Sequence, residues 1–431
     1  MITIVIDCGA SFLKGAVYDE NQLLKKKMIQ TPAINSAGSI FELQQIGALT
    51  QGVREILSEL SENIWEARLC LCNEMHGFIL ADESGAPYTD YISWQKELLQ
   101  DTAALLKKRL PLQEWEKTGM FLRNSLPVSN LFSLARENKL RSGLFFYTLG
   151  DYLIRVISGK EPVCHPTNAA ATGLYDLTAE DWNSSIINAV GAENIGFPKI
   201  GEESVSFQMD GCSFTVLPAI GDQQAALLGA GFNEPECLSF NLGTGAQVSQ
   251  LIHGMQFGNG CQIRPYFKGM YLKTIPHIPS GRALNVYFNF IKSILEAFRV
   301  SLTDEDIWKV IFREAENGTE TALKIDLGFF ENAVNTSVTG AIKDIEEKKF
   351  SVSNLLYAVL KQMSDNMIEV SKRLEPCPDK IRKIIFSGGV SSKIVKIREE
   401  IAKAYPKAAV FVSDRDTLEG LYQYSILGDL E

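Results

Sequence analysis

Asp7, Gly9, Ser11 and Lys14 fall within eight residues that follow an apolar run at 2–6, and the grouping suits phosphate chemistry. A strand through that run delivers a carboxylate at its C-terminal end. Gly9 then permits a tight turn whose amides, with the Ser11 hydroxyl and Lys14, fit phosphate oxygens, while Asp7 fits a hydrated Mg²⁺. Read blandly, the same segment is a hairpin turn with a solvated lysine. Leu242-Gly243-Thr244-Gly245 makes a second turn between two strand patterns, where glycines let the backbone approach a phosphate and Thr244 adds a donor. It is equally an ordinary two-glycine hairpin. No GxxxxGK[ST] segment occurs, which disfavours a P-loop enzyme.

Three further segments add polar groups at strand ends. Gly221-Asp222-Gln223-Gln224 opens a small-residue helix, so Asp222 is either an N-cap or a base that accepts a hydroxyl proton during phosphoryl transfer. Asn73-Glu74-Met75-His76-Gly77, with Trp94 downstream, presents a polar edge and an apolar wall suited to a small polyol. A structural hydrogen bond by His76 explains that residue just as well. Ile384-Ile385-Phe386-Ser387-Gly388-Gly389 reads as a buried strand ending in a double glycine, where a purine could lie or where a βα turn needs room.

These segments require a scaffold of strands and helices. Short β-branched runs alternate with helical patterns at about 41–60, 94–109, 129–138 and 147–158, the signature of a layered α/β protein. A strand is expected at 67–72, resumed at 78–81 after the Met75-His76 turn. Strand, turn and strand at 2–18 return at 237–252, which suggests two domains of similar plan with a boundary near 229–236.

Composition excludes several classes. With 431 residues, 45% hydrophobic and 22% charged, the chain is globular and long enough for two or three domains. Forty-two basic against 52 acidic residues give a net charge of −10 without a long basic run, so nucleic acid is not an expected partner. No uninterrupted apolar stretch reaches about 18 residues, and the start lacks a basic leader, so neither a membrane span nor a signal peptide is expected. Eight cysteines without a CxxC pair, and only four histidines, give little support to zinc or a disulfide framework, and a cytoplasmic location follows as the default. A homodimer stays open.

Taken in order, the segments resemble the FGGY carbohydrate kinases, over nearly the whole chain from about residue 2 to 426. The most specific stretches are MHGFILADESGAPYTDYISWQ (75–95), DYLIRVISGK (151–160), TNAAATGLYDLTAEDW (167–182) and GDQQAALLGAG (221–231). The stretches 279–290 and 326–342 are most similar to the xylulokinase/sedoheptulokinase-like branch. The resemblance implies an α/β chain of two actin/hexokinase/ribonuclease H-like domains with an interdomain cleft. Residues 1–232 would carry the sugar side, the first phosphate hairpin and the catalytic aspartate; 233–431 would carry the second hairpin and the adenosine motif. It implies Mg·ATP-dependent phosphorylation of a small sugar or polyol. Asp222 would be the catalytic base, Asp7 the Mg²⁺ carboxylate acting through water, and Met75, His76, Trp94 and Asp222 the substrate contacts. Gly9, Ser11, Lys14, Gly243, Thr244, Gly245, Gly388 and Gly389 would contact ATP. A non-catalytic sugar- or nucleotide-binding protein on the same scaffold is the alternative.

Overall fold

A computed structural model describes residues 1–32, 34–35, 43–96, 98, 101–258, 260–335, 338–413 and 417–427. Its contacts divide the chain into two units. The first comprises Met1–Gly231, Ile263–Gly269 and the C-terminal helix Thr417–Leu427; the second comprises Phe232–Gln262 and the residues from Met270 to 413. A single boundary between 232 and 233 would have left Ile263–Gly269 and the C-terminal helix in the second unit.

In the first unit the sheet runs Val205–Met209, Cys212–Val216, Glu66–Asn73, Thr3–Cys8, Phe12–Asp19, Gln22–Gln30. Thr3–Cys8 is antiparallel to Phe12–Asp19 and parallel to Glu66–Asn73. All six of its residues are buried, which is why its sequence is an almost unbroken apolar run rather than an alternating one. The short strand Ile220–Gly221 lies parallel to the end of Glu66–Asn73 on its other side. The helix Ile46–Leu60 makes the crossover between Gln22–Gln30 and Glu66–Asn73. It buries Leu49, Val53, Ile56, Leu57 and Leu60, one stripe at helical spacing.

The second unit repeats this plan. Its sheet contains, in order, Met270–Pro279, Gly245–His253, Cys237–Leu242, Lys383–Ser387 and Ala409–Val412. Cys237–Leu242 is antiparallel to Gly245–His253 and parallel to Lys383–Ser387, as Thr3–Cys8 is to its own two neighbours. The long helix Val352–Leu374 packs Leu356, Val359, Met363, Met367 and Val370 into the core beside the buried Leu238, Phe240 and Phe386.

The turn between Thr3–Cys8 and Phe12–Asp19 is only Gly9-Ala10-Ser11, with Asp7 and Lys14 on the strands. Two local expectations change. Ile79–Asp82 does not resume the strand before it but pairs antiparallel with Leu144–Tyr147, because Phe78, Leu80 and Phe146 build a separate core with Leu131 and Trp115. The pattern at 94–109 yields a helix only at Thr102–Lys107, with Asp101 capping it through the Ala104 amide. Residues 41–42, 97 and 99–100 of the two expected helices lie outside the described residues.

Candidate active site

Three neighbouring parallel strands of the first unit end together, and each delivers a carboxylate. Asp7 pairs in register with Cys72, which pairs with Ile220; Cys8, Asn73 and Gly221 form the next row. Glu74 and Asp222 are the residues that follow. Carboxyl ends of adjacent parallel strands are where α/β proteins build ligand sites, since the chain turns away there and leaves room.

Asp7 is buried and is held by three donors. Lys14 stands opposite it across the hairpin, and its Nζ donates to Asp7 Oδ2 at 3.3 Å. Thr417 Oγ1 donates to the same oxygen, and Cys72 Sγ donates to Oδ1 at 3.5 Å. In the turn that follows, Thr31 donates to the Gly9 carbonyl through Oγ1 at 2.7 Å and to the Ser11 carbonyl through its amide at 3.0 Å. Ala10 and Ser11 are exposed. The turn is thus clamped through its carbonyls.

Asp222 is the first residue of the helix Asp222–Gly229, and the capping position belongs to Gly221, which has no capping side chain. The N-cap explanation of Asp222 therefore falls. Its carboxylate accepts from the Gln223 amide at 2.8 Å. Burial, reinforced by the charges of Asp7 and Glu74, pushes this carboxyl up to about 7; the Gln223 amide and Arg264 pull the other way. Arg264, which is buried, donates to Gln223 Oε1, and burial lowers its guanidinium to about 10 against the attraction of the half-buried Asp222.

Glu74 is buried, and its amide donates to the Cys8 carbonyl at 3.1 Å. Burial raises its carboxyl, opposed by the hydrogen bond from the Trp94 indole. Trp94 Nε1 donates to Glu74 Oε2 at 2.9 Å while the indole stays 47% exposed, leaving a wall beside the carboxylates. Met75 is buried against Gly221, where an added Cβ would stand 2.9 Å from its sulfur. His76 has a left-handed backbone, φ 66°, and its Nδ1 donates to the Ala171 carbonyl at 2.7 Å. The structural hydrogen bond expected of a lone histidine is present.

In the second unit Gly243, Thr244 and Gly245 close the hairpin, the Gly243 amide donating to the Gly245 carbonyl at 3.1 Å. The start of the helix Gly281–Ala297 docks on it: Gly281 donates to Gly243 at 3.0 Å and Arg282 to Thr244 at 2.7 Å. Ser280, just before, is fully buried with an unpartnered hydroxyl. Gly388 begins the turn beside Leu242 with φ +89°, and an added Cβ would meet the Leu242 carbonyl at 2.5 Å. At Gly245 and Gly389 an added Cβ would meet nothing within 4 Å. Neither of those two glycines is required by contact with a neighbouring atom.

Asp7, Gly9, Ser11, Lys14, Met75, His76, Trp94 and Asp222 thus belong to the first unit, and Gly243, Thr244, Gly245, Gly388 and Gly389 to the second. Glu74, Cys72, Arg264 and Thr417 were not singled out by sequence. Glu74 carried a signal, a carboxylate one residue past a buried strand; Thr417 carried none.

Comparison with known proteins gives the family and the fold. Residues 2–229 match the model of the N-terminal domain of the FGGY family of carbohydrate kinases. A glycerol kinase of Brucella ovis is 28% identical over 193 residues, 42% of this chain and 39% of that protein. The chain therefore matches about two fifths of the length of such curated relatives. Among solved structures, a xylulose kinase from Rhodospirillum rubrum superposes with TM-score 0.86 at 14% identity, covering 99% of this chain and 90% of the other. A ligand-bound xylulose kinase from Lactobacillus acidophilus gives 0.81 at 17% identity, covering 100% and 90%. At these identities the likeness shows the fold, the two-domain actin/hexokinase-like ATPase fold. No helix among the described residues is long and apolar enough to cross a membrane.

Proposed function

This chain belongs to the FGGY family of carbohydrate kinases, and we propose that it transfers the γ-phosphoryl group of ATP to a hydroxyl of a small sugar or polyol. The observation that carries the reading is the unequal treatment of Asp7 and Asp222. Asp7 is gripped by three donors, whereas Asp222 accepts one backbone amide and sits near neutrality. One carboxylate held by several donors beside another left with a single amide divides the labour between an electrostatic group and a base.

In the proposed reaction Asp222 accepts the proton of the substrate hydroxyl as its oxygen forms a bond to the γ-phosphorus. The bond from that phosphorus to the β-phosphate oxygen breaks, and ADP departs with the electron pair. Ser11, Lys14 and the clamped Gly9 turn contact phosphate oxygens. Gly243, Thr244 and Gly245 approach phosphates, and Gly388 with Gly389 lies against the adenosine. Met75, His76 and Trp94 shape the acceptor pocket, with the indole face against the carbon skeleton.

A single strand-end carboxylate beside the clamped Gly9 turn suits Mg²⁺, which with a nucleotide is held by one or two carboxylates, phosphates and water. Asp7 would hold it through water. When bound, the ion neutralises phosphate charge.

A ketose such as xylulose or sedoheptulose is the proposed acceptor, supported by the Met75-His76 and Trp94 segments and by the fold neighbours named above. The test is ADP release with Mg·ATP across ketoses, aldoses and polyols, beside Asp222→Asn. One sugar giving Asp222-dependent turnover well above the water background is expected. A flat panel, with sugar binding but no turnover, would replace the kinase by a binding protein.

A further inference from the structure

The three donors on Asp7 are not equivalent. Lys14 reaches it from the adjacent strand on a long, half-buried chain, and the kinase reading gives that ammonium a second task at a phosphate. Cys72 offers a thiol, a weak donor. Thr417 is short, comes from 410 residues away in sequence, and sits on a helix seated by several independent contacts. Gly420 lies so close to the helix Asp222–Gly229 that an added Cβ would stand 1.7 Å from the Ala225 carbonyl. Tyr422 stacks on Tyr18 at 4.6 Å and accepts the Asn21 amide at 2.9 Å, and Tyr424 donates to the Pro218 carbonyl at 3.2 Å. The Arg68 guanidinium also donates to the Ser425 carbonyl.

We propose that Thr417 is a positioning residue, whose hydroxyl keeps the Asp7 carboxylate aimed while Lys14 turns to phosphate. The inference rests on the kinase reading. A seated helix fixes the donor in space, so Asp7 keeps its rotamer when its flexible partner leaves. A strand-end carboxylate with only a lysine and a thiol would lose that constraint whenever nucleotide arrived. Misplacement of a catalytic group by about 1 Å is enough to cost about 10²-fold in turnover.

The test compares Thr417→Val, which keeps the shape and removes the donor, with Thr417→Ser, which keeps the donor. In the intact protein Thr417→Val should lower kcat about tenfold and raise the Mg²⁺ concentration at half-saturation by a similar factor, about 1.4 kcal/mol. The KM for the sugar should stay unchanged, and Thr417→Ser should restore most of both effects. A second readout needs neither metal nor substrate. Thermal midpoints of the apo protein, Thr417→Val, Asp7→Leu and the double variant form a cycle, in which loss of the Thr417 hydroxyl should lower the midpoint by about 2–4 °C only when Asp7 is present. An additive cycle, or unchanged kcat and Mg²⁺ dependence in Thr417→Val, would overturn the proposal. If the wild-type chain releases no ADP with any sugar, the kinase reading fails, and the cycle still decides whether Thr417 holds Asp7.

Discussion

Replacing Asp222 by asparagine should make this protein more stable and nearly inactive. The asparagine oxygen can keep the hydrogen bond from the Gln223 amide, so the start of the helix survives. Proton acceptance does not. General-base assistance contributes about 10²–10⁴ in rate, so turnover should fall by that factor. The stability change follows from the raised carboxyl, which stands at about 7 rather than 3.8 because of burial and then the charges of Asp7 and Glu74. Between pH 4 and 7 the native state keeps a proton that the unfolded chain has released, so wild-type stability falls as pH rises through that window. The loss is complete above 7. At about 1.4 kcal/mol per unit, and allowing for the partial exposure of the side chain, the deficit is about 2–4 kcal/mol. Asp222→Asn has no such deficit. Its urea midpoint should exceed that of the wild type at pH 8 and approach it at pH 4. The kcat/KM of the wild type should rise with pH and level off above about 7, while the residual rate of the variant stays flat. A variant with near-wild-type turnover would remove Asp222 from the base role. Equal stabilities at pH 8 would show that the carboxyl does not sit in the environment described.

Glu74→Gln removes a charge that raises Asp222 and weakens the acceptor of the Trp94 indole. The acid limb of the kcat/KM profile should move to lower pH and the sugar KM should rise, with a changed Trp94 emission; an unmoved limb would mean that Glu74 is electrostatically silent. Gly420→Ala drives a methyl into the Ala225 carbonyl and should cost about 1–3 kcal/mol by urea unfolding; a neutral result would refute the close helix contact. Gly245→Ala and Gly388→Ala should diverge. The first meets nothing and should leave stability within about 0.5 kcal/mol while weakening ATP binding by calorimetry. The second, at φ +89° beside the Leu242 carbonyl, should destabilise the fold.

Much of the site was legible because its determinants are local. A carboxylate at the end of an apolar strand, a glycine in a turn and a small-residue helix after a glycine are short-range patterns, and Asp7, Asp222, Gly243–Gly245 and Gly388 stand where those patterns place them. The repeated strand-turn-strand pattern likewise announced the repeated sheet plan. What local patterns could not convey was partnership. Ile79–Asp82 has the composition of a continued strand, yet its neighbour became Leu144–Tyr147, because pairing depends on which core its alternate residues enter. Lys14 was read as a phosphate ligand by its place in a hairpin. Only the register, which sets it opposite Asp7, shows that it is also the counter-charge of a buried acid.

By itself, then, the sequence determined the strand-and-turn patterns and the placing of Asp7 and Asp222 at a strand end and a helix start, since backbone preferences and burial patterns act over a few residues. Tertiary structure decided the surroundings of those aspartates. Glu74 and Asp7 raise Asp222 only because three parallel strands end in one row. Arg264 lowers it only because the excursion Ile263–Gly269 packs with the first unit. Asp7 is held by a threonine from the last helix only because Gly420 lets that helix seat against Ala225. Charge–charge and hydrogen-bond energies depend on distance in space and on the loss of water, and neither quantity is written in the order of residues along the chain.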